Sequence, residues 1–348
     1  MDKLNYNYSQ ILSIFIIVFS TSIFFLHLYR RYTIRSNSFI AIPTTRSSHS
    51  VPTPTGAGFI VAMTYILSTL ALLFIFDIQS KEITAHFYLG VLFSSSYGFY
   101  DDLNDSNAQK KLVVQIILAA WLLFIFGEYL NNVIPFESII FKVVTIFFVW
   151  FLLVWFSNAI NFMDGIDGML ASGSLLILFS SSILMVLVNI QSINLFFLSI
   201  LIPILLGFLC FNFSKSKLFL GDSGSLFLAY CLSFFVLETL SQGELSLWVW
   251  LILLGHFLTE TTLTTIIRIF LTKDWYKPHK SHAYQNLARI LDNHKKVTFS
   301  SILFHILWLL PLAYISVLMP HLGIMLFVLA CFPVAILTLF YGPLFSKD

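Results

Sequence analysis

Charge is scarce in this sequence. Asp, Glu, Lys and Arg together supply 10% of its 348 residues, against 58% hydrophobic residues that include 38 Phe, and the mean hydropathy is +0.88. A water-soluble domain needs roughly a quarter of its residues charged to cover its surface, so this composition excludes one and implies that lipid covers much of the chain. The formal net charge of +2 comes without a basic arm or a segment of alternating aromatic and basic residues, which excludes nucleic acid as a partner. Cysteine is nearly absent too. Cys210, Cys231 and Cys331 lie inside apolar runs with no CxxC or Cys/His spacing, so they read as buried hydrophobes, not as ligands or disulfides. The first apolar run, Ile11 to Tyr29, meets Arg30 and Arg31 without a small-residue cleavage site, and it is expected to remain as a helix.

What is present is a series of apolar stretches near membrane length. Eleven helices are predicted, centred near Val18, Ile66, Leu92, Leu118, Val149, Ile177, Ile204, Cys231, Thr259, Leu307 and Leu329. The fold class is therefore all-α, a polytopic transmembrane bundle forming one integral domain over 1–348. Short uncharged connections alternate with polar ones. Of the 19 Lys and Arg residues, all but Lys3, Lys81 and Lys142 fall on one set of ends. That bias predicts an N-terminus outside and a cytoplasmic C-terminus, with polar cytoplasmic loops near 30–56, 100–112, 157–169, 213–224 and 271–297.

The acidic clusters fall on the same face. Asp101, Asp102 and Asp105 crowd the end of the third helix, and such neighbours repel unless a cation or proton is shared; a solvated helix end would look the same. In Asn158-Ala-Ile-Asn161-Phe-Met-Asp164-Gly-Ile-Asp167-Gly168, each Asp is followed by a glycine, and backbone amides and carboxylates can surround an anionic ligand there. Gly221-Asp222-Ser-Gly-Ser225 opens a helix whose unsatisfied N–H groups suit phosphate while Asp222 holds a metal ion, or it is a plain helix cap. The longest inside loop offers His279, Lys280, His282, Tyr284 and Gln285, a set better suited to anions than to a transition metal. Arg46 and His49 belong to a Pro- and Gly-rich turn after the first helix. Hard-cation ligands, glycine turns and cations at the ends of membrane helices describe a diphosphate site facing lipid.

These motifs, RSSHSVPTPTGAG, DDLND, NFMDGIDG, FLGDSGS and the His loop, resemble in order and sidedness those of the polyprenyl-phosphate N-acetylhexosamine-1-phosphate transferases. The phospho-MurNAc-pentapeptide translocases belong to the same superfamily. The HKSHAYQ form resembles the bacterial branch that starts O-antigen or related glycans. The resemblance implies transfer of a sugar 1-phosphate from a UDP-N-acetyl amino sugar to undecaprenyl phosphate with release of UMP, in the bacterial inner membrane, with Mg2+ (or Mn2+) as cofactor and a homodimer as one assembly. It makes Asp101 and Asp102 paired active-site carboxylates, with Asp101 the candidate base. Asn161 and the catalytic Asp164 and Asp167 would line the nucleotide-sugar and metal site, with Asn158 beside them; Asp222 would bind the metal and His282 the diphosphate. Arg46, His49, His279, Lys280, Tyr284 and Gln285 would complete substrate binding. Thr55 and Ala57 stand where the family commonly has Arg and Gly, Glu260 where Asp is usual, and Tyr284 and Gln285 replace two His. Arg46, Lys280 or Arg268 could replace the missing cation, and the acid at Glu260, inside an apolar run, needs a partner among nearby Thr residues or Arg268.

The rival from another class is a polytopic transporter of an anionic substrate, which predicts broken helices and ionisable groups near mid-membrane. Sidedness is directly testable. A cysteine replacing Lys277 should react with impermeant thiol reagents only after the inner membrane is opened; labelling in intact spheroplasts would place the loop outside.

Overall fold

The computed structural model describes residues 8–43, 51–78, 82–104, 107–133, 138–213, 215–273 and 279–345. The chain is all-α and polytopic. Its helices are α1 (Tyr8–Ser36), α2 (Ala57–Ile75), α3 (Glu82–Asn104), α4 (Ala108–Ile125), α5 (Gly127–Val133), α6 (Ile139–Phe162), α7 (Met169–Leu187) and α8 (Ile193–Asn212). They continue with α9 (Gly221–Ser241), α10 (Leu247–Leu253), α11 (Gly255–Leu271), α12 (Ala283–Ile290), α13 (His294–Phe304), α14 (Leu310–Leu318) and α15 (Gly323–Tyr341). Among the described residues, nine helical segments are long and apolar enough to cross a membrane, α13 and α14 counting as one across a π-helical turn, and α10 with α11 makes a tenth.

Each of the eleven expected centres falls in a helix, with two differences. The segment around Leu92 is α3, 23 residues long but too polar to rank with the other spans, because it carries Ser94, Ser95, Ser96, Asp101 and Asp102. The segment around Thr259 is not one span: α10 and α11 meet at Leu254–Gly255 with a 68° bend. Glycine is a common site of such kinks because it costs the most entropy to hold in a helix.

Enclosure sorts the helices. In α9, 89% of the most apolar window is buried in protein, in α7 72%, and in α6 only 11%. Helix α9 is thus the axis of the bundle, packed by α2, α3 and α6, while α7 pairs with α8 and α8 with α1. Large apolar side chains on α6, such as Phe147, Phe148 and Phe151, project away from the protein, as expected where the surrounding solvent is hydrocarbon. Of the cysteines, Cys231 is buried as expected, but Cys210 is exposed on the outer face of α8 and Cys331 is half-buried; an apolar run in a membrane protein does not imply burial in protein.

The axis tolerates no added atoms where α2 crosses it. A β-carbon at Gly58 would lie 2.0 Å from the backbone nitrogen of Gly224. The same close packing seats the first loop, since the Gly58 N–H donates to the Leu220 carbonyl (2.8 Å) and the Phe219 N–H donates to the Pro54 carbonyl (2.8 Å). Gly58→Ala should therefore cost about 1–3 kcal/mol, the usual range for overpacking, and lower the thermal midpoint in detergent. An unchanged midpoint would show that the two helices separate freely.

Candidate active site

The N-terminus of α9 organises the polar end of the bundle. An α-helix begins with backbone N–H groups that have no partner in their own helix. Here Asp102, in the last turn of α3, supplies them: the Asp222 N–H donates to Asp102 Oδ1 (2.7 Å) and the Ser223 N–H to Oδ2 (3.1 Å). The chain can present those donors because Gly221 adopts φ +75°, and a β-carbon there would lie 2.4 Å from Asp102 Oδ2.

Asp101 and Asp222 share one cation. Lys111 Nζ lies 3.1 Å from Asp101 Oδ2 and 2.7 Å from Asp222 Oδ2, and Asp101 is buried. To act as a base, Asp101 would have to be released from this pair. Lys111 was not among the site residues read from the sequence. The signal for it is its spacing from Gln115, a polar pair at i and i+4 on the apolar helix α4, hence on one face. Gln115 is itself buried and accepts from Asn158 Nδ2 (2.8 Å), so Asn158 serves the α4–α6 interface.

The loop after α6 adds two further carboxylates. Asn161 Oδ1 accepts from Ser225 Oγ (2.8 Å), tying the end of α6 to α9. Asp164 is exposed and lines a cavity of about 300 Å³ together with Thr55, Asp167, His279, Lys280 and Gln285. Its pKa is pushed above the usual carboxylate range, first by the surrounding protein and then by the negative charges of Asp222, Asp102 and Asp167. Water in the cavity offsets part of the first cause. Asp167 is shifted the other way. Burial opposes the shift, but hydrogen bonds from His294 and Ser216 and the His294 charge outweigh it, with His294 Nδ1 3.5 Å away and the Ser216 N–H at 3.2 Å.

The His loop forms the opposite wall. Glu260 takes His282 as its partner: His282 Nδ1 donates to Glu260 Oε2 (2.7 Å), while Oε1 accepts from the Ala283 N–H (2.8 Å) and Thr264 Oγ1 (3.3 Å). Of the partners expected for this acid, a threonine is there; Arg268 instead donates to Ser281 Oγ (3.2 Å). His282 is buried and Tyr284 is buried with its hydroxyl donating to the Phe162 carbonyl. Neither lines the cavity, so the expected substrate contacts from this segment fall to His279, Lys280 and Gln285. Lys280 lines the same cavity as Thr55, the position at which the resemblance led us to expect an arginine; Arg46 and His49 lie outside the described residues. The bent α10–α11 pair, a feature expected of a transporter, thus carries its acid into the support of this loop.

His279 stays neutral. Burial, followed by the charges of His282 and Arg268, lowers its pKa from 6.5 to about 3. Its Nδ1 accepts from the Ser281 N–H (3.3 Å), which leaves the ring hydrogen on Nε2.

The fold defines an all-α polytopic membrane protein with a polar cavity at one end of its helix bundle. A family model, glycosyl transferase family 4, matches residues 84–240. A probable undecaprenyl-phosphate N-acetylglucosaminyl 1-phosphate transferase of Bacillus subtilis (strain 168) is 28% identical over 259 residues, covering 73% of this chain and 70% of that protein. Phospho-N-acetylmuramoyl-pentapeptide-transferases of Bacillus cytotoxicus (28% over 272 residues; 72% and 81%) and Staphylococcus carnosus (30% over 239 residues; 62% and 70%) are also similar. The chain belongs to glycosyl transferase family 4, among the polyprenyl-phosphate sugar-1-phosphate transferases.

The pH dependence of His279 has a definite sign. The unfolded ring binds a proton near pH 6.5 and the folded ring only near pH 3, so its contribution to stability is whole above 6.5 and is lost as pH falls toward 3. Thermal midpoints should drop between pH 7 and pH 5, and His279→Gln should reduce that slope. An identical slope in the variant would mean that the folded ring takes up its proton at the same pH as the unfolded one.

Proposed function

We propose that this protein transfers the 1-phosphate of an N-acetylated amino sugar from a UDP-sugar to undecaprenyl phosphate at the cytoplasmic face of the bacterial inner membrane, releasing UMP and starting a surface glycan such as O-antigen. The observation that carries this reading is the juxtaposition of the polar cavity, lined by Asp164, Asp167, His279 and Lys280, with the Asp101–Lys111–Asp222 bridge at the end of a lipid-embedded bundle. The similarity to a probable undecaprenyl-phosphate N-acetylglucosaminyl 1-phosphate transferase of Bacillus subtilis supports the amino-sugar donor.

In this reading a phosphate oxygen of the acceptor attacks the phosphorus that bears the sugar. A P–O bond forms as the bond to the UMP oxygen breaks, and UMP leaves with that electron pair. A phosphate monoester has a second pKa near 6 and is already largely dianionic at neutral pH, so positioning rather than proton removal is the main task. Lys280 and the Nε2–H of His279 contact the diphosphate, and Lys111 holds Asp222 in place.

Mg2+ fits the donor set. Among the described residues, no three His, Cys, Asp or Glu side chains are placed to hold a metal alone. Mg2+ usually takes one or two carboxylates and completes its shell with water and substrate phosphate, and here the carboxylates outnumber the cations beside the cavity. Asp222 and Asp164 would hold it, and when bound it neutralises charge building up on the phosphoryl oxygens.

The test is UMP release by purified protein given undecaprenyl phosphate and a panel of UDP-sugars. At least one UDP-N-acetyl amino sugar should be turned over; release with none, from folded protein, would reject the reading. Asp222→Ala should lower turnover about 100-fold or more, while Asp222→Glu should keep weak activity with a raised Mg2+ requirement. Wild-type turnover and metal dependence in Asp222→Ala would leave Asp222 as a helix-end residue alone.

A further inference from the structure

We infer that His256, which lies outside the polar cavity, is a positioning residue: through Ser301 it fixes the rotation of α11 against α13 and so the spacing between the two walls of that cavity. Its effect on turnover rests on the transferase reading above. The walls hang from different helices. Glu260 on α11 holds His282 and the Ala283 N–H. On α13, Thr298 Oγ1 donates to the Asp167 carbonyl (2.8 Å), and His294 Nδ1 lies 3.5 Å from the Asp167 carboxylate. Helix α11 packs on α6 and α15, whereas α13 packs on α7 and α12, so the two supports belong to different packing pairs. His256 crosses between them. Its Nδ1 shares a hydrogen bond of 3.0 Å with Ser301 Oγ, and its ring meets that of Phe304 edge-on at 5.9 Å.

The bond is placed to govern rotation. His256 and Glu260 are four apart on α11, and Thr298 and Ser301 three apart on α13, so each partner sits on the face of its helix that carries the support. Helix α13 is itself held, because at the start of the π-helical turn His305 Nε2 shares a 3.0 Å hydrogen bond with Ser180 Oγ on α7. A serine in an apolar helix can return its hydroxyl to the carbonyl one turn back, as Ser181 does to Ile177 (2.8 Å); Ser301 turns to the imidazole. The pair borders a chamber of about 10 Å³ shared with Ser172, Gly173, Phe257 and His305. Such a volume admits no more than about one water, so bulk solvent does not compete for the bond. Side chains reach about 5–6 Å from a helix axis, so a 10° rotation of α11 carries the Glu260 carboxylate about 1 Å, a displacement that matters at a reacting centre.

Two measurements test this. Ser301→Ala deletes the bond and His256→Phe keeps the ring contact without it; each should lower kcat/KM for the UDP-sugar about tenfold and leave the KM for undecaprenyl phosphate unchanged. The double variant should be no worse than either single one, because both remove the same bond. His256→Asn, whose amide can stand where Nδ1 stands, should recover most of the loss. Wild-type kinetics in both folded single variants, additive losses in the double variant, or an equal rise in the acceptor KM overturns the inference. In the second, spin labels on cysteines replacing Phe270 on α11 and Lys296 on α13, both exposed, report the distance between the supports in a Cys210→Ser, Cys331→Ala background. Ser301→Ala should broaden that distance distribution, and an unchanged distribution also overturns the inference. The distance needs no turnover, so a protein inactive with every UDP-sugar would refute the proposed reaction while the role of His256 is still judged.

Discussion

The first turn of α9 must have its N–H groups satisfied at a place where three helices converge, and most of the polar architecture follows from how this is done. Asp102 reaches across from α3 to take two of those donors. That capture fixes the end of α3 against α9, brings Asp101 on the adjacent position to Lys111, and directs Asp222 to the same ammonium. A carboxylate at a helix N-terminus also faces the positive end of the helix dipole, which helps several acids coexist in a small volume. Without the cap, buried backbone donors would be stranded, at a cost of about 1–3 kcal/mol each.

The His loop shows the same logic one layer out. Glu260 holds His282 and the Ala283 N–H, Arg268 holds Ser281, and Ser281 holds His279. Ring stacking of His279 on His282 at 4.9 Å completes the relay. The groups that line the cavity are thus positioned by buried partners on α11, and the 68° bend before α11 sets the direction from which those partners approach.

Much of this was legible in the sequence. Apolar runs of membrane length mark helices because lipid leaves few other solutions for the backbone, and all eleven centres lie in helices. The acidic clusters were found because carboxylates are rare in such a chain. What a linear reading does not resolve is direction. Asp101 and Asp102 are neighbours in sequence but about 100° apart around a helix, so one meets Lys111 and the other caps α9. Asn158 and Asn161, three apart and only about 60° around the helix, still reach different partners, Gln115 and Ser225. Lys111 escaped notice because a basic residue beside another reads as a solvated loop, and its two acid partners are brought to it only by the packing of α3, α4 and α9. The bend at Gly255 was hidden because both halves are apolar.

Helix α6 has a consequence for the membrane itself. It is 24 residues long, is the span least covered by protein, and ends directly in the loop that carries Asp164 and Asp167. A span so exposed answers to the hydrocarbon thickness around it by changing tilt. Because Asn161 ties the loop end of α6 to Ser225 on α9, a change of tilt pivots there and is taken up at the opposite end of the helix, away from Asp164 and Asp167.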